Sequence, residues 1–132
     1  MNNDEIRSRY IAMLGSVPEG IEQRLRLAER IGDTRSLTAI EGMREALMDH
    51  NHLTEKVEQL VHLGMLLVTG HRGPALIHAR AALRAGADAA QLFGVCQTAA
   101  VVGGMPAFSL GVAVVTEALD ELDAATQGKG AS

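Results

Sequence analysis

At 132 residues the chain is sized for one domain, with room for a core but little for a second independent one. Its formal charge of −4, from 12 Lys and Arg against 16 Asp and Glu, leaves no basic field to hold nucleic acid or an anionic membrane surface. Hydrophobic residues make up 47% but aromatics only 2%, which suits closely packed helices and predicts an all-α fold, and the single cysteine, Cys96, excludes an intramolecular disulfide or a dithiol cycle within one chain.

Ile6, Tyr10, Ile11 and Leu14 form a helical stripe, predicting a first helix over 4–14 that ends at Gly15. Ser16-Val17-Pro18-Glu19 offers a capping serine with an acid three residues on, opening a helix to about Ile31, closed by Gly32. A third helix opens at 33–36, carries Leu37, Ile40, Met43 and Leu47, and ends in Asp49-His50-Asn51-His52. Thr54 caps a fourth, charged at its start through Glu55, Lys56 and Glu58 and almost wholly apolar from 60 to 68. Gly70 and Gly73-Pro74 turn the chain into a fifth helix that stops at Gly86. Asp88 with Gln91 is a capping-box pattern for a sixth helix reaching Val102, and the last runs from about Pro106 to Ala125, leaving 127–132 as a loose tail.

The run 89–116 carries no charge, long enough on hydropathy alone to raise a membrane span. Gly103, Gly104 and Pro106 split it into two pieces without Lys/Arg-rich flanks, so it reads as two helices buried in a core or a subunit interface. The polar, acidic start Met1-Asn2-Asn3-Asp4-Glu5 lacks the order of an export signal, and with the lone cysteine it suits a cytoplasmic protein.

The segment Gly70-His71-Arg72-Gly73-Pro74-Ala75-Leu76-Ile77-His78-Ala79-Arg80-Ala81-Ala82-Leu83-Arg84-Ala85-Gly86 sets two histidines about two helical turns apart at the start of a helix. Followed by Gly103-Gly104-Met105-Pro106, it resembles the carboxymuconolactone decarboxylase family, which includes the AhpD-like alkylhydroperoxidases; the likeness spans about 54–119. It implies an AhpD-like helical domain of six or seven helices over 1–127, assembled as a homotrimer or homohexamer. The peroxide-reducing branch carries two cysteines separated by two residues, a histidine four after the second, and a glutamate about twelve before the first. In that register His78 matches the histidine, Pro74 and His71 stand at the cysteines, and Gln59 falls at the glutamate with Glu58 one residue off. Without either thiol a dithiol peroxidase is excluded, because its chemistry needs a thiolate to attack the peroxide and a second sulfur to resolve the sulfenic acid. The resemblance is to the decarboxylase branch.

That likeness implies a lyase acting on a small acidic lactone or related ring compound, without a cofactor. A carboxylated butenolide loses carbon dioxide, and the resulting dienolate is protonated at carbon. His78 is the candidate acid/base, its tautomer fixed by Gln59 or a backbone carbonyl, with Gln59 also a candidate substrate-binding residue; His71, the second catalytic candidate, adjoins helix-start amides that favour anions, and Arg72 suits a carboxylate. Met105 is a candidate pocket wall. Cys96, in an uncharged helix, is expected to be a buried thiol, and only if it faced His78 would one-cysteine chemistry need weighing. Glu58 and His62 share a helix face and could chelate a metal, but no Glu-x-x-His or His-x-x-x-His frame supports this, so they read as a solvated or satisfied pair and no metal is assigned. Two readings stand beside the lyase: a peroxide-reducing oxidoreductase dependent on Cys96, and a non-catalytic oligomeric binding subunit.

Overall fold

The structure, a computed structural model, describes residues 1–130. It is all-helical, with seven helices and no strand among the described residues: α1 (Asn3–Leu14), α2 (Glu19–Ile31), α3 (Arg35–Met48), α4 (Glu55–Thr69), α5 (Arg72–Arg84), α6 (Ala89–Gly103) and α7 (Met105–Gly130). They form two compact units, Met1–His52 and the chain from Leu53 on.

In the first unit Asn2 caps α1 by accepting from the Glu5 amide at 2.8 Å, and Gly15, at φ 83°, ends it. The expected Ser16 cap does not form. Pro18 is the N-cap of α2, so Ser16 lies two residues outside the helix, too far back to reach its first free amides. Ile6, Tyr10, Ile21 and Leu25 make the core, with Leu37 packed against it. Arg7 ties α1 to Glu22 of α2 at 2.9 Å, and Arg9 ties it to Asp49 at 2.7 Å. Ile40, Met43 and Leu47 of the α3 stripe are exposed, whereas Glu41 is buried and accepts a hydrogen bond from the Tyr10 hydroxyl at 2.8 Å.

The second unit is built from α4 to α7. Thr54 caps α4 by accepting from Val57, and Asp88 with Gln91 forms the expected capping box on α6. Helix α4 packs on α5 and α6, α7 packs on α5 and α6, and a single core lies among them. It is made of Leu63 and Leu67, of Ala75, Ala79 and Ala82, of Leu92, Cys96 and Ala99, and of Ala107, Val114, Val115 and Ala118. Gly104, at φ 78°, breaks the uncharged run into α6 and α7. No described helix is long and apolar enough to cross a membrane. Only one face of the run is buried, for Val101 and Val102 at the end of α6 lie exposed. Helix α5 begins at Arg72 rather than after Gly73-Pro74, because proline in a first turn gives up no helical hydrogen bond. Helix α7 continues through Gly130, past the Ala125 end and into the expected tail, whose last two residues lie outside those described.

The tightest approach in this core is at Gly111 of α7. A Cβ there would sit 2.7 Å from Cys96 Sγ and 3.0 Å from Leu67 Cδ1, whereas one on Gly94 would meet nothing within 4 Å. Gly111→Ala is therefore expected to cost about 1–3 kcal/mol in urea unfolding. Gly94→Ala, in the interior of α6, is expected to add up to about 1 kcal/mol. Equal midpoints for the two variants would contradict this packing.

The second stability prediction concerns Tyr10. Burial pushes its hydroxyl up to about 12 from an ordinary 10.0; the Arg44 guanidinium pulls the other way and the hydrogen bond to Glu41 adds to the rise. The folded state thus holds this proton more tightly than the unfolded chain does. Its contribution to stability is fully present below pH 10.0 and is lost as pH rises through about 12. Tyr10→Phe is expected to cost about 1–3 kcal/mol at neutral pH, since Glu41 loses a buried donor. It should also flatten the alkaline loss followed by circular dichroism.

Candidate active site

Helix α4 buries an i, i+4, i+8 line of Gln59, Leu63 and Leu67, so an amide occupies a position where the packing pattern asks for a hydrocarbon. Gln59 is 1% exposed. A buried amide needs a hydrogen bond, and His78 of α5 supplies one: its Nδ1 stands 2.6 Å from Gln59 Oε1. His78 is half-buried, between Ala75 and Ala79 in sequence, on a helix whose buried face is otherwise alanine. The sequence register thus brings together the two residues it paired, and the neighbouring register, Glu58, is buried as well.

Beside this pair stands a residue that the sequence argument passed over as a site component. The rings of His62 and His78 meet edge to face, with centroids 4.9 Å apart and planes at 83°. His62 lies four residues after Glu58, one turn along α4, and this spacing was the available signal. Oε1 of Glu58 and Nδ1 of His62 are both buried without a protein hydrogen-bond partner. Among the described residues no group of three or more His, Cys, Asp or Glu side chains is arranged to hold a metal ion.

The other candidates lie apart from this cluster. His71 is the N-cap of α5, exposed and making no side-chain cap bond. Seven residues of helix set it about 10 Å along the axis from His78. Arg72, the first residue of α5, is exposed and pairs with Glu117 of α7 at 3.2 Å. Such a solvated pair is worth about 0–1 kcal/mol, so an incoming carboxylate can displace Glu117 at little cost. Met105 opens α7 and is 66% exposed, which makes it an edge rather than an enclosed wall.

Cys96 is fully buried in the core of α4, α6 and α7, and burial pushes its thiol up. A raised pKa keeps the sulfur in its protonated, non-nucleophilic form.

The sequence model of the carboxymuconolactone decarboxylase family matches residues 35–117. Among solved structures, the chain is similar to a crystal structure from Burkholderia xenovorans LB400 described as a "putative carboxymuconolactone decarboxylase". The match has a TM-score of 0.75 at 25% sequence identity, and covers 96% of this chain and 94% of that one. No curated protein matches.

The burial of Cys96 has a direct test. Iodoacetamide at mildly alkaline pH is expected to leave the folded protein unmodified over the time in which the guanidinium-unfolded chain is fully labelled, as read by intact mass. Rapid stoichiometric labelling of the folded protein would place the thiol within reach of solvent and reopen one-cysteine chemistry.

Proposed function

Because the chain belongs to the carboxymuconolactone decarboxylase family, we propose that it is a lyase of that kind, decarboxylating a small acidic lactone or related ring compound, with His78 as its acid/base. The observation that carries this reading is the 2.6 Å contact between His78 Nδ1 and Gln59 Oε1. A carbonyl oxygen only accepts, so Nδ1–H is the donor and the neutral ring keeps its lone pair on Nε2. The same ring, once protonated, delivers its proton from Nε2. Gln59 thereby holds both the tautomer and the plane of the imidazole, which general acid catalysis requires before any question of pKa arises.

The reaction balances with one proton. The bond between the ring carbon and its carboxyl group breaks, carbon dioxide leaves, and the electron pair enters the unsaturated lactone as a dienolate. The imidazolium of His78 stabilises that charge and then gives its proton to carbon. His71 and Arg72 orient the departing carboxylate from the start of α5, Arg72 exchanging Glu117 for it, and Met105 borders the approach. A ligand reaching both groups lies along α5. Charge stabilisation and proton delivery are sufficient for this step, and the reading calls for no cofactor. It also includes self-association as a trimer or hexamer, which would cover the exposed Val101, Val102 and Met105.

A peroxide-reducing activity has little to rest on, since His71 and Pro74 stand at the thiol positions and Cys96 is buried.

The experiment is turnover of a carboxylated butenolide, followed by loss of its ultraviolet absorbance. His78→Gln is expected to lower kcat by about 10²–10⁴-fold while the substrate still binds. Gln59→Leu should lower kcat about tenfold with KM little changed, by releasing the ring rather than removing it. If the parent turns over no carboxylated lactone but binds one, the protein is a binding subunit and the lyase reading fails.

A further inference from the structure

Glu58 and His62 each bury a polar atom that finds no partner within the protein: Oε1 of a residue only 6% exposed, and Nδ1 of the imidazole one turn along the same helix. A buried polar atom left unsatisfied costs about 1–3 kcal/mol, and native interiors keep very few. Here two stand on one face of α4, and the ring that carries one of them touches the ring of His78. Nothing among the described residues satisfies either atom, and one ligand group bearing both a donor and an acceptor can satisfy both.

The chemistry of the two atoms restricts the ligand group. A carboxylate oxygen only accepts, while an imidazole Nδ1 donates in one tautomer and accepts in the other. A hydroxyl satisfies both: its O–H donates to Glu58 Oε1 and its oxygen accepts from His62 Nδ1–H. A second carboxylate on the ligand has no proton to donate to Glu58 Oε1. The carboxylate of an acidic ligand therefore belongs at the His71 and Arg72 end of α5, and a hydroxyl belongs beside His62.

We propose that Glu58 and His62 form a hydroxyl-recognising arm of the His78 site, so that the ring compound this protein takes bears an O–H group next to the atom at which His78 exchanges its proton. The arm rests on the lyase reading for the location of the reacting ring, and it adds the substrate class: a hydroxylated or enolic lactone acid. Glu58 and His62 determine specificity in it and transfer no proton to carbon.

Binding of two probes that differ by one hydroxyl tests the arm on the intact protein: unsubstituted butenolide and γ-hydroxybutenolide, each titrated by protein-observed NMR. The wild type is expected to bind the hydroxylated probe about tenfold more tightly. Glu58→Leu removes the acceptor and His62→Phe the donor, and each should bring the two affinities to within about twofold. Glu58→Gln keeps a carbonyl acceptor and His62→Asn keeps an N–H near the Nδ1 position, so both should retain most of the preference, which a merely structural role would not produce. Equal affinities in the wild type overturn the arm, as they would if these atoms held an ordered water only. Failure of both probes to bind, or a preference that survives both Glu58→Leu and His62→Phe, also overturns it. The wild-type comparison needs no variant and decides the matter even if Glu58→Leu does not fold. Lactone turnover without a hydroxyl preference sinks the arm alone, whereas a hydroxyl preference without turnover sinks the lyase alone.

Discussion

The C-terminal unit depends on how closely α5 can lie against its neighbours, and alanine sets that distance. Ala75, Ala79 and Ala82 are fully buried along one face, and side chains ending at Cβ allow neighbouring helices to lie close. Across this packing the amide of Gln59, rooted on α4, meets the imidazole of His78 at 2.6 Å. The same logic recurs across α6 and α7, where Gly111 admits the sulfur of Cys96. Small residues thus do two jobs. They bury a core with few aromatics, and they bring polar groups from different helices into bonding range where longer side chains would hold them apart.

Those small residues explain how much of the molecule is legible in its sequence. The caps were readable because capping is local: Thr54 and the Asp88/Gln91 box need only their own first turn, and both form. The Gln59 and His78 pairing was readable through a family register, in which spacing along two helices stands in for contact between them. Ser16 was misread because the serine-to-acid spacing fitted while Pro18 itself took the N-cap position. His62, weighed in the sequence with Glu58, is not legible as a neighbour of His78 for a different reason. Its partnership with His78 is made between helices, and nothing in a sequence reports an edge-to-face contact between α4 and α5. The exposure of Val101 and Val102 was likewise hidden, since an uncharged run reads the same whether its outer face meets solvent or another chain.

Charge is arranged around this apolar core with a consistent division. Arg80 grips Glu121 through both its Nε and Nη2, at 2.7 and 2.6 Å, and this hydrogen bonding holds the Glu121 carboxyl below its ordinary range. About two turns earlier on α5 and one turn earlier on α7, Arg72 meets Glu117 through a single contact at 3.2 Å. The bidentate pair fixes the register of α5 against α7, because two parallel bonds tolerate little sliding. The monodentate pair fixes less and yields more easily. The difference suits a structural role for Arg80, while Arg72 is the more readily displaced of the two.

The start of α5 carries the last step. A helix N-terminus lowers the pKa of a thiol placed there, so such a position suits a reactive cysteine. Here His71 is the N-cap of α5 and makes no side-chain cap bond, and Pro74 lies in the first turn. Proline offers neither thiol nor N–H, and it costs the helix nothing in its first turn. The buried contact is that of Gln59 with His78, and it is also a packing requirement: an amide in the α4 line must be satisfied by α5. A site whose orienting bond is part of the core keeps its histidine positioned whatever happens at the helix start. Chemistry that needs a placed proton can therefore persist on this scaffold where chemistry that needs a thiolate cannot.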